Sequence, residues 1–270
     1  MKKIRLIELF AGVGSQACAL KRLGVDFEHY RVIEFDKYPI ASYNAIHGTD
    51  FKPTSITDIK GENLGIVDTE YFTYLLTYSF PCQDLSVAGK QRGMTKGSGT
   101  RSGLLWEVER LLNETEELPQ VLLMENVPQV HGKKNLDDFN KWIDFLESKG
   151  YKNFWKDLNA KDYGVAQNRN RTFMISFLDD VNYNFPETIP LEKKMKDYLE
   201  DEVDEKFYIN NEKADMLIQK LMDNGEIEKS PCDLSINNPE LIEKSNCIKA
   251  RYDAGISNFK KDGSGVIERS

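Results

Sequence analysis

The sequence has few cysteines and few histidines. Its four cysteines, Cys18, Cys82, Cys232 and Cys247, form no Cys-x-x-Cys pair, and its three histidines lie far apart. A disulfide scaffold or a zinc site is therefore not expected, and the thiol usage suits a reducing, cytoplasmic setting. No run approaches 18 uncharged apolar residues, so no membrane partner is expected. The opening MKKIRLIELF places two lysines before an apolar run, but Arg5 and Glu8 interrupt it and glycines follow. It reads as a buried first strand rather than a secretion signal. Arginine is absent from 181–248, where 16 acidic residues face 8 lysines. The net charge of -8 argues by itself against a nucleic-acid partner. Only charge near the phosphates matters to such binding, however, and the arginines concentrate at 92–110 and 169–171, so a local basic surface stays open.

What is present is an ordinary globular composition, 40% hydrophobic and 30% charged, in a chain of 270 residues. That length suits one large domain or a core domain with a smaller lobe. Strand patterns at 3–10, 29–34, 74–79, 120–124, 151–159 and 172–178 alternate with helical patterns at 16–24, 36–48, 102–113 and 136–149. Residues 56–59 read as a short strand. The alternation predicts an α/β fold, three-layer and Rossmann-like, with a mainly parallel sheet. The character changes near residue 180, where prolines and a strongly charged stretch begin, with helices expected over 191–208 and 211–223. The expected division is a catalytic domain over 1–179 and a smaller recognition or subunit-pairing region over 180–270.

Five polar clusters stand out, four of them directly after predicted strands, where open α/β sheets bind ligands. FAGVGS at 10–15 offers Gly12 and Gly14 for a tight turn and close approach of a ligand, although an ordinary glycine turn would look the same. Glu34, 20 residues beyond Gly14, can accept from ribose hydroxyls or simply end a strand in solvent. Asp58 can accept from an adenine amino group. In SFPCQDLS at 79–86, Pro81 restricts the backbone beside Cys82, which is placed as a nucleophile, while burial is the usual fate of a lone cysteine. The following VAGKQRGMTKGSGTRSG carries four positive charges and no negative one, as a mobile loop closing over an anionic polymer would. Glu125 in MENVP is a carboxyl able to donate to a ring nitrogen, and QNRNR at 167–171 offers cations for an oxygen or phosphates.

In this order, the five clusters resemble the cytosine-C5 DNA methyltransferases of restriction-modification systems, from about Arg5 to Phe177 and again in CIKARYDAGISN at 247–258. Ser79 stands where glycine is common in that family. The resemblance implies S-adenosylmethionine as methyl donor, S-adenosylhomocysteine as product and a cytosine flipped out of double-stranded DNA. It implies that Phe10, Ala11, Gly12, Gly14 and Pro81 line the cofactor pocket, with Glu34 at the ribose and Asp58 at the adenine. Cys82 would add to cytosine C6, Glu125 would hold N3 and Arg169 would hold O2, with Gln167 and Arg171 shaping that site. No metal is implied. The chain ends at GVIERS, where the family has a further Arg-Leu-Thr-Pro-like run and, later, a Gly-Asn-Ser/Ala motif. The expectation is therefore one subunit of a split enzyme that needs a complementary C-terminal subunit, or a truncated product, with a cognate restriction endonuclease as a further partner. The alternatives are an inactive DNA-binding or regulatory homologue and an RNA cytosine methyltransferase.

Overall fold

In a computed structural model, the residues described are 2–85, 93–200, 202, 204, 212, 216, 219, 223 and 244. Six strands form one sheet: β1 (Lys3–Leu9), β2 (Phe27–Ile33), β3 (Phe72–Tyr78), β4 (Val121–Asn126), β5 (Lys152–Asn159) and β6 (Asn170–Phe177). Their order is β2-β1-β3-β4-β6-β5. β1 pairs in parallel with β2 and β3, and β3 with β4, while β4 and β6 are antiparallel. The mainly parallel α/β sheet read from the sequence is thus the sheet that forms.

Four helices cover it: α1 (Ser15–Arg22), α2 (Lys37–His47), α3 (Leu105–Glu114) and α4 (Leu136–Ser148). Ile7 and Leu9 of β1 belong to one large core with Leu105, Val108 and Leu111 of α3 and Phe139, Trp142 and Leu146 of α4. Alternation sends Glu8 to the other face, where it meets Tyr43 of α2. Helices therefore lie on both faces of a sheet whose central strands are buried, as parallel strands require. α2 has clear punctuation: the Asp36 side chain accepts from Tyr38 N at 2.9 Å, and Gly48 ends the helix in the left-handed region at φ 69°.

Two local expectations are corrected. Residues 56–59 form no strand; Ile56–Asp58 is a single 3₁₀ turn, because Ser55 accepts from the Thr57 backbone N–H and favours a turn locally. The long helix expected over 191–208 is a 3₁₀ turn at Met195–Tyr198 where it is described. There Asp197 accepts from the Lys194 N–H at 2.8 Å, which closes a short turn locally. Within 211–223, Glu212, Met216, Gln219 and Asp223 are helical; the rest of that expectation, and the segment 247–258, lie outside the described residues.

The contacts define two compact units. One comprises Met1–Asp157 with Arg171–Phe185, the other Leu158–Asn170 with Pro186–Ser270. Among the described residues no helix is long and apolar enough to cross a membrane.

Candidate active site

β1 lies at the point where the strand order reverses, with β2 on one side and β3 on the other. Such a switch point opens a crevice beyond the carboxyl ends of the strands. The turn after β1 occupies it. Phe10 has φ 58°, Gly12 φ 55° and Gly14 φ 80°. Gly14 can only be glycine in this packing, since a Cβ there would lie 2.6 Å from the Tyr43 ring and against His47. At Gly12, by contrast, a Cβ would meet nothing within 4 Å, so open space lies over the turn.

Glu34, just past β2, is tied to this turn. Its two oxygens accept from the backbone N–H groups of Gly12 and Asp36, each at 3.0 Å. Phe10, Ala11, Gly12, Gly14 and Glu34 therefore converge. Asp58 is exposed on its 3₁₀ turn. Arg110 of α3 holds that turn, donating to the carbonyls of Ile56 and Ile59 at 3.0 Å each, and is itself ion-paired with Glu107 and Glu114.

The loop after β3 carries Pro81 and Cys82, both half-buried, and Cys82 is a free thiol. Two buried side chains from other elements fix it. Asn126, at the end of β4, donates to Phe80 O at 3.0 Å and accepts from Val127 N at 2.9 Å. Ser102, in the turn leading into α3, donates to Pro81 O at 2.6 Å and accepts from Asp84 N at 3.3 Å. Arg101 adds a backbone bond to Asp84 and a side-chain bond to Gln83. Gln16 of α1 donates to Ser79 Oγ at 3.3 Å, joining this loop to the glycine turn.

The basic loop expected to move is in part anchored. Gly93 N donates to Asp84 O at 3.1 Å, Trp106 Nε1 to Met94 O at 2.6 Å and Thr95 to Asp138 at 2.8 Å. Residues 86–92 lie outside the described residues.

Glu125 projects from the end of β4 and pairs with Arg171, Nε to Oε1 at 3.1 Å, both side chains largely buried. Glu125 lies opposite Phe173 in the antiparallel register, which makes Arg171 its diagonal neighbour on the same face. β6 is steadied by Thr172, whose hydroxyl donates to Asp157 at 2.5 Å, and Asp157 also meets His131 at 3.1 Å. Gln167 and Arg169 belong to the second unit. There the Arg169 N–H donates to Asn159 Oδ1 at 3.0 Å, and its carbonyl accepts from Ala160 N at 2.9 Å.

A family model for C-5 cytosine-specific DNA methylases matches residues 4–265. The chain belongs to that family. It is 34% identical over 262 residues to the type II methyltransferase M2.ScrFI of Lactococcus lactis subsp. cremoris, with 77% of this chain and 71% of that one covered. It is 37% identical over 264 residues to the orphan methyltransferase M.SssI of Spiroplasma monobiae, covering 78% and 68%. Two solved structures share the fold. The Entamoeba histolytica methyltransferase EhMeth has a TM-score of 0.71 at 18% identity, covering 94% of this chain and 73% of that one. The S. pombe Dnmt2 methyltransferase has 0.66 at 19%, covering 92% and 71%.

The family resemblance read from the sequence is thus borne out, and the chain is of an enzymatic, methyl-transferring class. The sequence did not point to Ser102, Asn126 and Arg110 as individual residues. Ser102 lies in the basic stretch VAGKQRGMTKGSGTRSG, Asn126 in MENVP and Arg110 in the helical pattern at 102–113. A polar side chain inside an otherwise apolar pattern is the signal that marks them.

Proposed function

We propose that this chain transfers a methyl group from S-adenosylmethionine to C5 of a cytosine flipped out of double-stranded DNA, through a covalent bond between Cys82 and cytosine C6. The observation that carries this reading is the pinned cysteine loop beside the Glu125–Arg171 pair, with Cys82 and Glu125 at the carboxyl ends of the adjacent parallel strands β3 and β4.

The residues after β1 fit the cofactor. The open space over Gly12 admits a ligand against the backbone, and Glu34 keeps lone pairs for hydroxyl donors beyond its two backbone bonds. Phe10, Ala11, Gly12, Gly14 and Pro81 would line the methionine side, Glu34 would take the ribose hydroxyls and Asp58 the adenine amine. When bound, the cofactor supplies an electrophilic methyl group.

Cytosine C5 is a poor nucleophile. The Cys82 thiolate adds its electron pair to C6, and the displaced ring electrons move toward N3. Glu125 donates a proton at N3, so the ring becomes an enamine with its nucleophilic carbon at C5. Arg171, whose Nε–H donates to Glu125 Oε1 at 3.1 Å, orients that carboxyl, which takes up a proton from water before passing it to N3. Arg169 stabilises O2, and Gln167 shapes that site. After methylation, the C5 proton is lost to water, its electron pair forms the C5–C6 double bond and expels Cys82 as thiolate, and N3 returns its proton to Glu125, regenerating the pyrimidine.

DNA carrying 5-fluorocytosine tests the reading, because fluorine at C5 cannot leave as a proton. With the cofactor, the chain is expected to form a denaturation-resistant adduct, and Cys82→Ser to form none. Absence of an adduct, both alone and with a C-terminal polypeptide supplied, would refute it. The same assay on RNA decides the polymer.

A further inference from the structure

Beneath the glycine turn lies a titratable group that the proposed chemistry leaves unused. Glu8, in β1, is 1% exposed. Its Oε2 accepts from the Tyr43 hydroxyl at 2.5 Å, while its buried Oε1 has no hydrogen-bond partner. The Tyr43 oxygen also lies 2.7 Å from His29 Nδ1. Tyr43 and His47 pack under Gly14, and His47 Nε2 donates to Val13 O at 3.1 Å. The titratable groups around this cluster are Tyr43 and His47 from α2, Cys18 and Lys21 from α1 and His29 from β2. Burial, helped by His47 and Lys21, lowers His29 to about 4, so it is neutral near pH 7.

A neutral His29 gives the hydrogen-bonded chain two directions. With Glu8 protonated, its O–H donates to Tyr43, Tyr43 donates to His29 Nδ1, and the imidazole proton sits on Nε2. With Glu8 ionised, His29 Nδ1–H donates to Tyr43 and Tyr43 to the carboxylate. Passing from the first state to the second moves one proton from Glu8 to Tyr43 and one from Tyr43 to Nδ1. The Nε2 proton leaves to water, and the total charge falls by one.

We propose that Glu8, titrating through Tyr43 and His29, is a specificity-determining residue that favours the cationic methyl donor over its neutral product. This rests on the cofactor reading above. S-adenosylmethionine carries a sulfonium charge that S-adenosylhomocysteine lacks. A buried carboxylate under the glycine turn attracts that charge in a medium of low effective dielectric, and the neutral acid does not. Burial raises Glu8 to about 7, so the preference strengthens as pH rises through neutrality.

The test uses the full chain with ¹⁵N-labelled histidine. Between pH 5.5 and 8.5, His29 Nδ1 is expected to change from acceptor to protonated nitrogen with a midpoint near that of Glu8. Glu8→Gln should remove the transition. Tyr43→Phe, which keeps the carboxyl and interrupts the relay, should uncouple it. By calorimetry, the affinity ratio of donor to product should rise on the order of tenfold over the same range in wild type and stay flat in Glu8→Gln. A His29 resonance that does not move overturns the relay while leaving the cofactor reading intact. An equal pH response to donor and product, or an unchanged response in Glu8→Gln, overturns the specificity role. Failure to bind either ligand at any pH overturns the cofactor reading and the specificity role together.

Discussion

Replacing Ser102 with alanine removes one oxygen atom from a wholly buried position. That oxygen donates to Pro81 O at 2.6 Å and accepts from Asp84 N at 3.3 Å, so both groups lose a partner. A buried group left unsatisfied costs about 1–3 kcal/mol. Pro81 and Asp84 are half-buried and regain some water, so the total should come to about 2–4 kcal/mol of stability. The fold should survive, because the Asn126 bond to Phe80 O still holds the start of the loop. The cysteine should be held less well. A displacement of about 1 Å at a reacting atom can cost on the order of a hundredfold in rate. Adduct formation on 5-fluorocytosine DNA should therefore slow by roughly 10- to 100-fold in Ser102→Ala. Equilibrium denaturation and the rate of adduct formation, measured on the same preparation, separate the two effects. An adduct rate equal to wild type together with the stability loss would refute the claim that Ser102 positions Cys82. Unchanged stability would refute the hydrogen bonds themselves.

Gly14→Ala should destabilise well beyond the roughly 1–2 kcal/mol of left-handed backbone strain, because its Cβ collides with Tyr43 and His47; Gly12→Ala should lose only the strain, as thermal denaturation will show. Burial raises Glu8 from its ordinary 4.5 to about 7, so the folded protein holds a proton that the unfolded chain gives up. Stability from this group is complete below about 4.5 and falls as pH rises to about 7, by on the order of 3 kcal/mol in all. Glu8→Gln should flatten that fall in a series of denaturant titrations from pH 4.5 to 8. Arg110→Ala frees the carbonyls of Ile56 and Ile59 and should raise KM for the cofactor about tenfold (near 1.4 kcal/mol) with a smaller change in kcat, measured by steady-state methyl transfer. Arg171→Gln should lower the adduct rate at least tenfold while donor affinity, by calorimetry, stays near wild type.

The parts legible in the sequence were those with periodicity or punctuation. β1, β3 and β4 appear as apolar runs, and Gly48 and Asp36 bracket α2 with the chemistry that helix ends require. Cys82 and Glu125 follow strands, so their placement at one sheet edge came with the strands. The supports of the site left no such trace. Ser102 reaches Pro81 across 21 residues, Asn126 reaches Phe80 across 46 and Arg110 reaches Ile56 across 54. A hydrogen bond between distant residues leaves no mark on local spacing. The 3₁₀ turn at Ile56–Asp58 reads as a strand because ITDI is rich in β-branched residues, whereas a single serine hydroxyl decides the local geometry.

β6 runs against its neighbour β4. In a sheet of a single sense, the ligand-facing edge receives only residues that finish strands. Here Glu125 finishes one strand and Arg171 begins another, and they meet there because the strands travel in opposite directions. The pair therefore tolerates no gradual misalignment. Sliding β6 by one residue would turn Arg171 to the opposite face instead of moving it a few ångströms along the same one. The partnership between carboxylate and guanidinium is accordingly an all-or-none readout of whether β6 has docked in register, and assembly of this corner of the site should coincide with completion of the sheet.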